Sequence, residues 1–160
     1  MILVSSCLLG NKVKYNGEAN DHSLIKRYGR YMTAICPETL GGLPIPRPAA
    51  EIQDGDGHDV LAGKAEVKNA MGAVVTEEFR GGAEKVLEFV QKHRIQVAIL
   101  KANGPSCGNK MIYDGHFCGK KIEGQGVTAA LLMQNGVQVY SENDLDEDTL
   151  QRLIAMYKEE

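Results

Sequence analysis

The chain has 160 residues, with 18 Lys and Arg against 21 Asp and Glu and a net charge of −3, which argues against the broad phosphate-binding surface of a nucleic-acid-polymer partner. Hydrophobic residues make up 43% and charged residues 24%, the balance of a globular protein with one domain, residues 1–160, and a core of its own. No apolar run approaches the ~20 residues of a membrane span. The apolar start MILVSSCLLG has neither a basic flank nor a small-residue cleavage site, so it reads as the first strand of a cytoplasmic protein with no membrane partner.

Residues 2–6 form that strand, which runs into CLLGNKVKYNG, a loop of turn formers. A short helix is expected over 21–29 and a second strand over residues 32–35. The following CPETLGGLPIPRPAAEI holds four of the five prolines, which excludes a helix or central strand through most of it. GKAEVKNAMGAVVT alternates around residues 69–72 and reads as a hairpin. Residues 76–93 carry an apolar stripe at 79, 83, 86, 87 and 90, a helix with Thr76 as its N-cap. A strand over 96–100 comes next, then a loop KANGPSCG, then MIYDGHFCGKKI, a hairpin marked by Asp-Gly. A helix over 126–134 ends at Asn135-Gly136. A last strand over 137–140 and an amphipathic helix over 146–158 complete the chain.

Short apolar strands alternating with helices predict an α/β fold, a three-layer Rossmann-like sheet that is mostly parallel, with additional β-hairpins. In such sheets ligands bind beyond the carboxyl ends of the strands. Cys7 follows the first strand, Cys36 the second, and Cys107 lies in the loop after the strand at 96–100. Parallel neighbouring strands would gather these three thiols at one sheet edge. There is no CxxC motif, so a zinc ribbon or thioredoxin-like site is excluded. Three thiolates can hold zinc with an open fourth position, or three irons of a cubane cluster with the fourth iron free. Gly10, Gly41, Gly42, Gly104 and Gly108 near the thiols permit close backbone approach, and Pro37 and Pro105 stiffen the loops. Spacing alone leaves both metals open.

The segments MILVSSCLLGNKVKYNG, ICPETLGGLPIPRPAAEI, GPSCGNKMIYDGHFCGKKIEGQGVTAALL and VYSEND resemble the small bacterial family known as domain of unknown function 523. The resemblance covers nearly the whole chain, with its motifs in the family's order. Members of that family include thiouracil desulfidases, in which three cysteines hold a 4Fe–4S cluster and the fourth iron takes the sulfur of a thiocarbonyl substrate. The resemblance implies that Cys7, Cys36 and Cys107 bind a 4Fe–4S cluster, that Glu38 is a catalytic acid or base, and that the serine loop around Cys107 takes part. Two departures stand out. The family loop reads Ser-Pro-Ser-Cys-Gly, whereas this chain has Gly104-Pro105-Ser106-Cys107-Gly108, so Ser106 or Asn103 would replace the first serine, or the substrate would differ. Cys118 stands where the family has serine, either as a packed small residue or as a fourth thiol near the site.

The expected function is a non-redox, cluster-dependent desulfuration of a thiocarbonyl heterocycle, a small-molecule substrate, with Glu38 and Ser106 as catalytic residues. The alternative is a non-catalytic metal- or cluster-binding sensor. Cys107 as a covalent nucleophile is a third reading, but no histidine partner is evident. Arg47 either meets an anionic substrate or pairs with Glu51, and a purely structural Glu38 would cap the Gly-rich loop or pair with Arg47. Tyr15, Tyr113 and Asp114 are candidates to line the pocket, and His22, His58, His93 and His116 show no ligand spacing. GQGVTAALL is a weak phosphate signal without a Walker lysine.

Overall fold

The computed structural model describes residues 1–157. Its elements in chain order are β1 (Ile2–Ser5), α1 (Ser23–Arg27), β2 (Met32–Ile35), α2 (Pro37–Leu40), β3 (Ala50–Gln53), α3 (Gly57–Leu61), β4 (Glu66–Asn69), α4 (Thr76–Lys92), β5 (Val97–Leu100), β6 (Met111–Tyr113), β7 (Lys121–Glu123), α5 (Val127–Gln134), β8 (Gln138–Ser141) and α6 (Glu147–Tyr157). Single 3-10 turns lie at Ser6–Leu9, Gly29–Tyr31 and Glu142–Asp144.

The central sheet has the order β2-β1-β5-β8, and all three pairings are parallel. Its inner strands are buried on both faces, as a parallel sheet between helices must be. Alternation along the strands divides the core. Ile2, Val4, Val97 and Ile99 face α1 and α6 through Ile25, Leu150, Leu153 and Ile154. Leu3, Ala98 and Leu100 face α4 and α5 through Val86, Val90, Ala129 and Leu132. The result is the three-layer, mostly parallel architecture expected from the sequence. Two antiparallel pairs, β3-β4 and β6-β7, are added, and a third apolar cluster of Ile52, Val67, Phe79, Ala83, Ile112 and Val127 packs them against α4 and α5. The chain passes from β1 outward to β2 and later returns to β5 on the other side of β1. The carboxyl ends of β1 and β5 therefore flank the switch point where such folds place ligands.

Several local expectations need correction. The proline-rich segment opens with the one-turn helix α2, because Pro37 sits at its first position, where the missing N–H is no loss. β4 pairs along four residues with β3 rather than with the chain that follows it. The turn at 69–72 returns only a single bridge, Lys68 to Val74, before α4 begins. Thr76 is not the N-cap of α4: Val75 holds that position, and the Thr76 hydroxyl accepts the Val67 N–H at 3.0 Å, tying the helix to β4. α3, which sequence reading missed, starts with a capping box in which Asp56 and Asp59 exchange backbone hydrogen bonds. The β6-β7 pair is joined by residues 114–120, not by a two-residue Asp-Gly turn. Lys158, the last residue of the expected C-terminal helix, lies outside the described residues.

α2 and α4 meet backbone to backbone. A Cβ on Gly41 would stand 1.9 Å from the Glu78 carbonyl oxygen, and one on Gly82 would stand 2.0 Å from that of Pro37. Only glycine permits this approach. α4 ends in a Schellman turn, with the Ile95 N–H on the Val90 carbonyl and the Arg94 N–H on that of Gln91. Arg94 takes the left-handed conformation there, at φ 53°.

Candidate active site

Three strand ends deliver three thiols to one place. β1 passes into the 3-10 turn that carries Cys7. β2 ends at Cys36, the N-cap of α2. β5 passes into a tight loop in which the Gly108 N–H returns to the Gly104 carbonyl at 3.0 Å, exposing Cys107 between them. Cys7, Cys36 and Cys107 line a single cavity of about 590 Å³, together with Glu38, Lys101, Asn103, Tyr15 and Tyr113. Asp114 is not among its lining residues.

The thiols are individually supported. Ser5 Oγ accepts the Lys101 N–H at 2.9 Å and so turns its own hydrogen to Cys107 Sγ at 3.5 Å. Asn20 Nδ2 donates to Cys7 Sγ at 3.4 Å. Cys36 Sγ has only a 4.0 Å contact with the Val13 carbonyl. Burial pushes the Cys107 thiol far up, the Ser5 hydrogen bond opposes this, and the nearby charges of Cys7, Glu38 and Cys36 add to it. Burial also raises Cys7, against the Asn20 hydrogen bond. Neither Ser5 nor Asn20 gave a sequence signal, because both reach their sulfur through packing.

The donor set is three soft thiols on one cavity. A single tetrahedral zinc would draw its sulfurs to within about 4 Å of one another. Among the described residues, no group of three or more His, Cys, Asp and Glu side chains is arranged to hold a metal ion. The three thiols line one cavity. Soft sulfur donors, two of them receiving hydrogen bonds, fit an iron–sulfur cluster.

Glu38 lies in the first turn of α2 and lines the cavity with a side chain 21% exposed. Its Oε1 accepts Arg47 Nε at 3.0 Å. Burial lifts its carboxyl above the usual carboxylate range, against the pull of Arg47. Arg47 also donates to the carbonyls of Pro44 and Val13. Its guanidinium is thus committed to holding Glu38 and two loops. Of the carboxylates open to Arg47 the structure pairs it with Glu38, the contact of a structural Glu38, while Glu51 is turned to the 114–120 loop, where its Oε1 accepts from Gly115 and Phe117. Lys101 reaches the cavity paired with buried Glu142 at 2.8 Å.

Ser106 stands apart. It is 1% exposed and absent from the cavity lining, and its hydroxyl shares a 2.8 Å hydrogen bond with that of Thr128. Its carbonyl accepts the N–H groups of Thr128 and Ala129. The loop is thereby stitched to the start of α5. Gly126 lies so close to this loop that a Cβ there would be 2.5 Å from the Ser106 carbonyl carbon. Asn103 and Gly104 do line the cavity. Cys118 is exposed, outside the lining, with its sulfur 3.9 Å from Asp114 Oδ1. It is neither a packed core residue nor a fourth cavity thiol. The histidines stay outside the lining as well; His58 bridges Gln125 and Gln134.

Comparison with known proteins places the chain in a family. The uncharacterized protein YbbK of Bacillus subtilis (strain 168) is 48% identical over 149 residues, covering 92% of this chain and 99% of its own. Among solved structures, the 4Fe–4S-dependent thiouracil desulfidase TudS matches with a TM-score of 0.83 and 38% identity, over 98% of both chains. The family model described as 2-thiouracil desulfurase matches residues 2–144. The chain belongs to the 2-thiouracil desulfurase family.

Proposed function

We propose that the protein is a desulfidase that replaces the sulfur of a thiouracil-like thiocarbonyl with oxygen, using a 4Fe–4S cluster on Cys7, Cys36 and Cys107. The convergence of the three thiols with Glu38 on one cavity carries this reading, and the likeness to TudS supports it. When bound, such a cluster supplies a Lewis acid and a sulfur acceptor at its iron that lacks a protein ligand.

The chain's own residues supply the proton chemistry. Arg47 occupies Glu38 Oε1 and fixes the carboxylate, so Oε2 is the oxygen that takes a proton from water as it attacks the thiocarbonyl carbon. That proton and the second one from water leave with the sulfur. Water plus thiocarbonyl gives carbonyl plus hydrogen sulfide, with no net oxidation or reduction. Ser5 and Asn20 hold the ligand sulfurs in position. Lys101, neutralised by Glu142, adds a paired polar group to the cavity wall. Ser106 serves this reaction by shaping the Cys107 loop through Thr128.

The test is anaerobic reconstitution followed by incubation with 2-thiouracil. Four irons per chain, with uracil and sulfide formed in equal amounts, are expected. Stoichiometric zinc, or a loaded protein that binds thiouracil without releasing sulfide, would point to a sensor instead.

A further inference from the structure

The loop at 114–120 holds an aromatic residue in an unusual way. Phe117 lies in the left-handed region at φ 56°, which a bulky side chain seldom adopts. It is 39% exposed and lines the same cavity as the thiols. Free to relax, an apolar ring on a surface loop would turn inward and give up the strained backbone.

Hydrogen bonds to β3 prevent that. Glu51, itself 9% exposed, accepts the Gly115 N–H at 2.9 Å and the Phe117 N–H at 3.2 Å on one carboxylate oxygen. Gln53 Nε2 donates to the Gly115 carbonyl at 2.9 Å from the same strand, β3. Gly115 approaches so closely that a Cβ there would meet the Ile52 carbonyl oxygen at 2.6 Å. The loop is thus clamped to β3 at its start, and the clamp reaches the Phe117 amide. Strain maintained by its surroundings points to use of the residue concerned.

We propose that Phe117 is the stacking platform for the ring of a planar heterocycle in the cavity, and that Glu51 is the positioning residue that holds it there. This rests on the desulfidase reading and sharpens it: the site selects flat, unsaturated rings over puckered or acyclic thiocarbonyls. A ring face stacks on any flat base whatever its substituents. Tyr15 and Tyr113 line the cavity too, but neither has a positive φ or this carboxylate clamp.

Calorimetric titration of the reconstituted holoprotein with uracil and with puckered 5,6-dihydrouracil tests the assignment. Wild type should prefer uracil. Phe117→Leu should weaken uracil about 5- to 150-fold and leave dihydrouracil within about twofold, while Phe117→Tyr restores the preference. Phe117→Gly, which removes ring and strain together, serves as the second variant if the leucine protein folds poorly. Glu51→Ala should weaken uracil, speed amide exchange at Gly115 and Phe117, and add nothing further on top of Phe117→Leu. Unchanged uracil binding in Phe117→Leu, an equal loss for both ligands, or a wild type that binds neither overturns the proposal. Sulfide release from 2-thiouracil is scored separately. A wild type that releases none while keeping the Phe117-dependent uracil preference would sink the desulfidase reading and leave the stacking role standing.

Discussion

β5 opens at each of its ends onto a cavity, and the two differ in kind. At its amino end, Val90, Arg94, Ile95, Gly136 and Val137 surround a dent of about 230 Å³ with no thiol or carboxylate in its lining. The connections there are tight helix-to-strand turns, closed by their own backbone hydrogen bonds at Ile95 and Val137. At its carboxyl end lie three thiols, the Glu38–Arg47 pair, the Lys101–Glu142 pair and a cavity more than twice as large. One end is finished by backbone geometry. At the other, polar side chains are buried at some cost and held by partners. Among the described residues, the proposed chemistry sits where the parallel strands leave their carboxyl ends open.

The sharpest way to break this contrast is to remove thiols one at a time. Cys7→Ser, Cys36→Ser and Cys107→Ser should each abolish stable cluster binding, measured as iron and acid-labile sulfide per chain, whereas Cys118→Ser should keep the cluster. A cluster that survives loss of Cys36 would remove the carboxyl end from its special position. The next largest effect concerns Glu38. Glu38→Gln should retain the cluster and lower turnover per cluster about 10²- to 10⁴-fold, the usual worth of a positioned base; near wild-type turnover per cluster would exclude it.

A smaller effect separates the ends by pH. Partial burial raises the Asp144 carboxyl, but hydrogen bonds from Lys110, the Ser141 N–H and Asn109, with the Lys110 charge, outweigh it and hold the group down at about 2. Its folded pKa lies below the unfolded value of about 3.9. Its stabilisation is therefore complete above that value and is lost as pH falls toward 2. Comparing Asp144→Asn with wild type by urea unfolding should show a difference of about 1 kcal/mol at pH 6, reduced by solvent screening at Lys110, that shrinks as pH falls through 2 and is gone below it. The smallest effect belongs to the amino end. Arg94→Gly relieves a left-handed residue just past the C-cap His93 of α4 and should raise stability by about 0.5–1 kcal/mol with no change in turnover.

The sheet was legible because its signals are local. Ile2–Val4 and Val97–Leu100 are apolar on both faces, and the stripe at Phe79, Ala83, Val86 and Val90 repeats at helical spacing along α4. The meeting of Cys7, Cys36 and Cys107 followed from topology, since parallel strands send their following loops to one edge. Side-chain direction inside loops did not follow. Ser106 and Cys107 are neighbours in the chain, yet one turns to Thr128 and the other to the cavity, a choice made by the docking of α5. Arg47 has carboxylates within reach in sequence on both sides, and the fold of 37–47 gave it Glu38. Asn20 carries no motif, and only the packing of its loop against Cys7 brings it to sulfur.

The glycine contact between α2 and α4 reaches further than packing. α4 is 17 residues long, about 25 Å at helical rise. Gly82 touches the Pro37 backbone next to Glu38, and Val90 near the far end borders the amino-end dent. The helix therefore works as a gauge rod. In the reaction proposed above, the placing of the Glu38 carboxylate is set by a seam with no side-chain cushion, in which a single methyl group is a full notch. A designer who wished to retune the reaction without touching the cavity would turn that screw at Gly82, and evolution can turn it only by moving the whole rod.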